Sequence, residues 1–417
     1  MEPDTKPHRL GSARKIILIV GVCALIVGGG VFAATSGVGA DLVQSVAAPN
    51  SRPSAAPSTA SPSEPPAAPP VQLVASPVNG AAQVNPAAPV TLSAKGGTLE
   101  TVSLANAAGE KVAGSMGADD LTWTASEPLL FDSTYTLAST VKDAAGKSST
   151  STSSFSTVPA ANEADAAIYP LDGMNVGVGQ PLQIVFSEPV VNREAVEKAI
   201  SVTTTAGQQG AFHWYSDTMV RYRPEAFWTA NTTVTMDMKL FGLDIGNGQI
   251  ANFNKTLNVN IGDKRVAVAD ATAHTFTLSI NDQVIKTVPA TMGDERFPSA
   301  NGFAVLMEKN RYDHFRAASI GLKPGDPAFY GELDVEHTIR LSLSGAYIHQ
   351  ALESAYSSLG NANVSHGCIG LGPVDAAWVF DTMQTGDVVQ VINTDGEYAA
   401  PTDGFQDWNI PWADYAN

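Results

Sequence analysis

A histidine and a cysteine stand two positions apart in the stretch Ser365, His366, Gly367, Cys368, Ile369, Gly370, and a second histidine, His349, lies sixteen intervening residues before His366. Thiol chemistry runs through the thiolate. A neighbouring imidazole is its usual base and can move a thiol pKa from about 8.5 to somewhere near 4 to 7. If the stretch is extended, His366 and Cys368 project to one face of a strand, while His349 closes a separate apolar strand, HTIRLSLSGAYIH. Small buried thiols are also ordinary core residues, so these residue types alone leave a packing role open.

The only other cysteine is Cys23. It sits in the uncharged run 16–34, IILIVGVCALIVGGGVFAA, which follows Arg14 and Lys15 and is about a bilayer's worth of helix. Export is expected, with the run as an uncleaved membrane anchor and cleavage near residues 31–34 as the alternative. Val22 before Cys23 fits a lipid-attachment signal poorly, and Cys23 reads as apolar filler in a membrane helix. In an oxidising compartment Cys368 therefore has no sensible intrachain partner, which marks it as a reactive thiol or an intermolecular link. The 417 residues carry a formal charge of −17; with no basic stripe to neutralise phosphates, nucleic acid is not an expected partner.

Elements to position this chemistry can be read along the chain. Residues 1–40 hold the cytoplasmic N-terminus and the anchor or signal segment. Residues 41–70, ending in SRPSAAPSTASPSEPPAAPP, lack the bulky apolar side chains a core needs and read as an extended spacer. From 71 to 159 short β-prone runs alternate with NG, GG and AAGK turns, the spacing of an immunoglobulin-like sandwich with Trp123 as a core candidate. Residues 160–263 repeat that pattern. They add one expected helix, 192–200, capped by Asn192 and apolar at Ala195, Val196, Ala199 and Ile200. The aromatics Phe212, Trp214, Tyr215, Tyr222, Phe227 and Trp228 suit either a glycan-stacking platform or packing, and packing is the preferred reading. Neither sandwich offers a catalytic constellation. Residues 264–395 are strand-rich with a helix expected at 373–383, where Pro373 suits the first turn and Asp375 the positive end, and 396–417 form a tail expected to pack on the folded domains.

At His349 and 365–370 the chain resembles the L,D-transpeptidases with the YkuD-type catalytic domain, enzymes that crosslink bacterial peptidoglycan. Their signature is a histidine, an interval, then Ser/Thr-His-Gly-Cys, a hydrophobic residue and usually asparagine or arginine. Here Gly370 departs from the last position. VPATMG and SANGFAV look like the family's early strands, and FQDWNIPW (405–412) is similar to tails of members with two immunoglobulin-like domains, so the resemblance spans residues 71–417. It implies a mainly β fold, with two immunoglobulin-like sandwiches followed by a β-rich catalytic domain behind the membrane helix.

The resemblance also implies roles. Cys368 would attack the carbonyl of the third residue of a donor tetrapeptide stem, expel the terminal D-alanine and form a thioester. A diamino-acid amine on a second stem would accept the acyl group, giving a 3-3 crosslink, and carbapenem-type β-lactams would imitate the donor. His349 would be the base, oriented by the backbone carbonyl of Gln350. Amides around Gly367 and Cys368 would form the oxyanion hole, the small Gly367 allowing close approach. Ser365 and His366 would shape the site, Tyr330 would close over it as a lid residue in the loop 321–332, and Gly370 would border the substrate. Zinc ligation by two histidines and a cysteine would need a further ligand at a recognisable spacing, and none is evident, so neither metal nor cofactor is expected. A protein of the same fold that binds the wall, its activity lost at Gly370, is the remaining alternative.

Overall fold

The computed structural model describes residues 69–417. The apolar run 16–34, Cys23 and nearly all of the spacer lie outside the described residues, and among the described residues no helix is long and apolar enough to cross a membrane.

The described chain is built from β-sheets. The first sandwich pairs Gln72–Ser76, Thr91–Lys95, Thr122–Ala125 and Gly114–Met116 in one sheet, and Lys111–Val112, Gly97–Asn106, Thr134–Asp143 and Ser148–Ser156 in the other. Period-two alternation makes this possible: along Thr134–Asp143, Tyr135, Leu137 and Val141 turn inward with Trp123 while their neighbours face out. A second sandwich follows. Its sheets are Ala166–Tyr169, Leu182–Phe186, Met219–Pro224 and Gly210–Trp214 in one layer, and Asn175–Val176, Asn254–Ile261, Thr233–Lys239 and Ile200–Thr204 in the other. Of its aromatics, Tyr222 and Trp228 are buried in the core, and Phe212, Trp214 and Phe227 pack against it.

The helix expected at 192–200 is shorter, Arg193–Lys198. Ile200 leaves it to begin the strand Ile200–Thr204, pairing with Met238, a β-branched residue taken by the sheet in preference to a last helical turn. Asn192 makes no side-chain cap and donates instead to the Asp244 carbonyl at 2.9 Å.

A small sheet of Asp244–Gly246, Gln249–Ala251 and Glu163–Ala164 lies in the same part of the chain, and residues 265–392 supply a nine-stranded sheet in the order Gly302–Val305, Val388–Ile392, Arg265–Asp270, Thr275–Ile280, Gln283–Thr291, Ile369–Leu371, Tyr347–Gln350, Glu332–Arg340 and Glu308–Arg316. The helix Pro373–Thr382 covers it, with Ala376 and Val379 buried in the same core as Ile348, Ile369 and Leu371. Two central strands, Tyr347–Gln350 and Ile369–Leu371, run parallel, with His349 opposite Gly370.

Candidate active site

Those two strands bring the signature residues together. On Tyr347–Gln350 the core takes Ile348, so His349 turns to the other face. Cys368 is the residue just before Ile369–Leu371, and it lines the same cavity as His349, about 320 Å³ in volume, with Tyr330, Ser365, His366 and Gly370 on its walls.

The imidazole of His349 is fixed by its neighbour. Its Nδ1 lies 2.7 Å from the Gln350 carbonyl, so Nδ1 carries the proton and Nε2 is left as an acceptor. Burial lowers its pKa, with the carbonyl bond opposing, so the ring is held neutral. The Gln350 side chain meets His337, whose Nδ1 is 3.3 Å from Gln350 Oε1.

Cys368 differs from the sequence expectation in its ionisation. Burial pushes the thiol up to about 11, although a backbone hydrogen bond from Tyr347 works in the opposite direction. Its Sγ donates towards the Gly345 carbonyl at 3.7 Å. The expectation of a thiol lowered by imidazole is therefore corrected: desolvation of the half-buried sulfur outweighs the neutral ring beside it and raises the thiol pKa.

Residues 365–368 are not extended, so His366 and Cys368 do not share a strand face. Gly367 takes φ +106, a left-handed value that favours glycine, while the space around it is open enough for a Cβ. Ser365 Oγ closes the bend, donating to the Cys368 carbonyl at 2.6 Å and accepting the Gly367 N–H at 3.2 Å. The Gly367 amide is thus committed within the turn. Ser299, absent from the sequence reading although SANGFAV contains it, donates to the Gly367 carbonyl at 2.9 Å and accepts the Gly293 N–H at 3.0 Å.

His366 reaches to the loop 321–332. Its Nε2 is 3.0 Å from the Ala328 carbonyl, and its ring lies between Phe297 and Tyr330 at centroid distances of 4.8 and 5.2 Å. Burial, with the charge of a Cys368 thiolate adding to it, raises the Tyr330 phenol pKa.

Gly370 faces the cavity without a left-handed φ, so backbone conformation does not demand glycine there. A Cβ would stand 3.0 Å from the Thr291 methyl and 3.4 Å from Ala351 Cβ. Thr291 cannot swing aside freely: its Oγ1 donates to the Ala362 carbonyl at 2.8 Å and accepts the Val364 N–H at 3.1 Å. Beyond Cys368 opens a second cavity of about 310 Å³, lined by Asp313, His314, Arg316, Arg340 and Tyr347. Among the described residues no group of three or more His, Cys, Asp and Glu is placed to hold a metal ion.

The L,D-transpeptidase catalytic-domain family matches residues 264–391, and a bacterial Ig-domain family matches residues 81–244. L,D-transpeptidase 2 of Mycobacterium tuberculosis is 36% identical over 341 residues, covering 82% of this chain and 83% of the relative. The chain belongs to the L,D-transpeptidase family. L,D-transpeptidase 5 of the same species is 31% identical over 348 residues, covering 82% of this chain and 75% of that one. A solved L,D-transpeptidase in complex with imipenem shares 34% identity and covers 55% of this chain and 99% of its own, with a TM-score of 0.49. As an L,D-transpeptidase, the chain is an enzyme of peptidoglycan crosslinking, and the matched catalytic segment contains both His349 and the turn that carries Cys368.

Proposed function

We propose that this L,D-transpeptidase works through a Cys368 thioester and forms 3-3 crosslinks between stem peptides. The observation that carries the reading is His349: with Nδ1 committed to the Gln350 carbonyl, its one free nitrogen is a neutral acceptor lining the same cavity as the only cysteine among the described residues. Because the resting thiol is protonated, His349 Nε2 takes the proton as sulfur attacks the carbonyl of the third residue of a donor tetrapeptide. The C–S bond forms and the carbonyl electrons move to oxygen, where the backbone amide of Cys368 receives the charge. The imidazolium then gives its proton to the departing amine; the C–N bond breaks and D-alanine leaves. In the second half His349 deprotonates a diamino-acid amine as it attacks the thioester; the C–N bond forms, the C–S bond breaks, and the imidazolium returns the proton to the departing thiolate.

Carbapenem-type β-lactams, strained acyl donors of similar reach, acylate the same sulfur in this reading. The run 16–34 holds the enzyme on the outer side of the cytoplasmic membrane facing the wall, with the spacer giving reach. A mature protein that begins after residue 34 and is free in the medium would overturn the anchored version.

The deciding experiment incubates the purified enzyme with a tetrapeptide donor and follows protein and products by mass spectrometry. An acyl adduct on the Cys368 peptide, release of D-alanine and a dimer upon adding acceptor are expected, and Cys368→Ser abolishes all three. Binding of wall material by an enzyme that forms no adduct supports the scaffold reading instead.

A further inference from the structure

The strand bearing His349 is entered through a tight loop, residues 341–346, and that loop touches the nucleophile. Leu341 N–H closes it on the Ala346 carbonyl at 2.9 Å. Ser342 Oγ accepts the N–H groups of Gly345 and Ala346 at 3.1 and 2.9 Å, and Arg340 donates to the Ser342 and Leu343 carbonyls at 2.9 and 3.1 Å. On one side the loop presents the Gly345 carbonyl to Cys368 Sγ and leads into Tyr347, whose backbone bonds the same thiol. On the other it is held from outside the catalytic sheet: Ser344 gives both its N–H and its hydroxyl to the carboxylate of Asp403, at 2.7 and 2.5 Å.

Asp403 lies in the C-terminal tail. Beside it Gly404, at φ +85, lets the tail backbone approach so closely that a Cβ would stand 3.2 Å from the Leu341 carbonyl and 3.4 Å from Ser342 Cα. Gln406 Nε2 adds bonds to the Leu341 and Asp403 carbonyls at 3.1 and 3.2 Å. The tail is gripped in turn by the second sandwich, where buried Arg221 donates to the Pro401 and Gly404 carbonyls at 3.1 and 2.8 Å and to Asp407 at 2.7 Å. A continuous set of contacts therefore runs from Arg221 through Asp403 and Ser344 to the carbonyl that holds the sulfur.

We propose that Asp403 is a positioning residue of the active site, setting the 341–346 loop against Cys368 and so fixing the orientation and solvent access of the thiol, with Arg221 tying that setting to the second sandwich. The inference rests on Cys368 as nucleophile. An ionised carboxylate accepting two bonds from one residue holds it more firmly than a neutral acceptor does. Displacement of a reacting atom by an ångström is enough to slow chemistry by about 100-fold, so a modest anchor has large leverage here.

The test uses the full chain and iodoacetamide, with peptide mapping to separate Cys368 from Cys23. In Asp403→Ala the loosened loop admits water to the thiol, which relieves its desolvation, so the pH midpoint of Cys368 alkylation falls by about half a unit to one unit. Acylation by the tetrapeptide moves the other way: kcat falls roughly 10-fold while KM stays within about 2-fold. Ser344→Ala, which keeps the backbone bond and all of the tail's own contacts, shifts both in the same directions by less, and it carries the test if the Asp403 variant does not fold. An unchanged midpoint and kcat, with or without a lowered Tm, overturns the proposal. Alkylation needs no peptide substrate, so a wild-type enzyme that releases no D-alanine would contradict the thioester reading while leaving the role of Asp403 open to measurement.

Discussion

The two sandwiches are alike in architecture and opposite in attachment. The first has a core of its own, and its seam with the second is made by Asn85 donating to the Gly242 carbonyl at 2.6 Å and by Phe131 set edge-on to Phe241. In the second, the core does not stop at the sandwich: Val388 of the catalytic sheet is buried in the same cluster, and Val266 and Phe303 pack against it. Backbone bonds cross this seam as well, Gly177 to the Thr385 carbonyl at 2.8 Å and Gly179 to the Gly386 carbonyl at 2.9 Å. The tail completes it, with Asn409 exchanging two bonds with Phe303 and Trp408 donating to the Gly179 carbonyl. Shared apolar burial makes the second sandwich and the catalytic sheet one cooperative body, while the first sandwich, with a core of its own, is a neighbour.

The sharpest way to break that contrast is to remove Asp407. Its carboxylate meets Arg221 at 2.7 Å with both side chains almost fully buried, and it accepts the Tyr215 hydroxyl at 2.6 Å. Asp407→Ala leaves the guanidinium buried without its counter-charge, a loss of about 3 to 5 kcal/mol. In calorimetry the body's transition should drop in temperature while that of the first sandwich stays in place. A single transition that shifts as a whole would show that the two sandwiches are not attached differently. The apolar pair Arg221→Met with Asp407→Leu should recover part of the loss, because the Arg221 charge is no longer stranded, while buried Arg223 still loses the nearby Asp407 carboxylate.

What could be read from the sequence divides along similar physical lines. Period-two strands and turn clusters announced both sandwiches, and His349 with residues 365–370 announced the site, because those residues act through side chains at short spacing. Tyr347 and Gly345 act through backbone atoms, which any residue type supplies, and Asp403 reaches Ser344 from 59 positions away, so no local pattern reveals them. The thiol's state is not legible for a related reason: desolvation is a property of the packed site, whereas the sequence shows only the imidazole nearby. Gly370 is legible as a departure, but the Thr291 methyl that a Cβ there would meet at 3.0 Å is not.

A smaller effect is expected from Asp387, in the turn that receives Gly177 and Gly179. Burial pushes its carboxyl up to about 7, against the pull of the Gln384 amide and of Arg265 and Lys309 and with the push of Asp263, while one of its oxygens has no partner. A carboxyl with a folded pKa above its unfolded value binds more protons folded than unfolded between about pH 4 and 7, so stability declines as pH rises through that window. Asp387→Asn removes the ionisation. The unfolding free energy should then match wild type near pH 4 and exceed it at pH 8, by on the order of 1 to 3 kcal/mol. The gain should appear in the body's transition alone; equal pH slopes for the two proteins would remove Asp387 from the seam's energetics.

The smallest change is expected at the first seam, and its smallness is the informative part. Asn85→Ala deletes the bond to Gly242, a partly buried neutral hydrogen bond whose net contribution is about 0.5 to 1.5 kcal/mol. The substitution also removes the Oδ1 that accepts the Ala87 N–H at 2.9 Å, while the aromatic contact between Phe131 and Phe241 remains. Nothing in this seam leads to the 341–346 loop, whereas the other seam reaches it through Arg221 and Asp403. Asn85→Ala should therefore leave the rate and pH midpoint of Cys368 alkylation within about 2-fold and a tenth or two of a unit of wild type, the scale of a distant independent site. A shift as large as that of Asp403→Ala would mean that the first sandwich also sets the thiol, through contacts that its separate core gives no reason to expect.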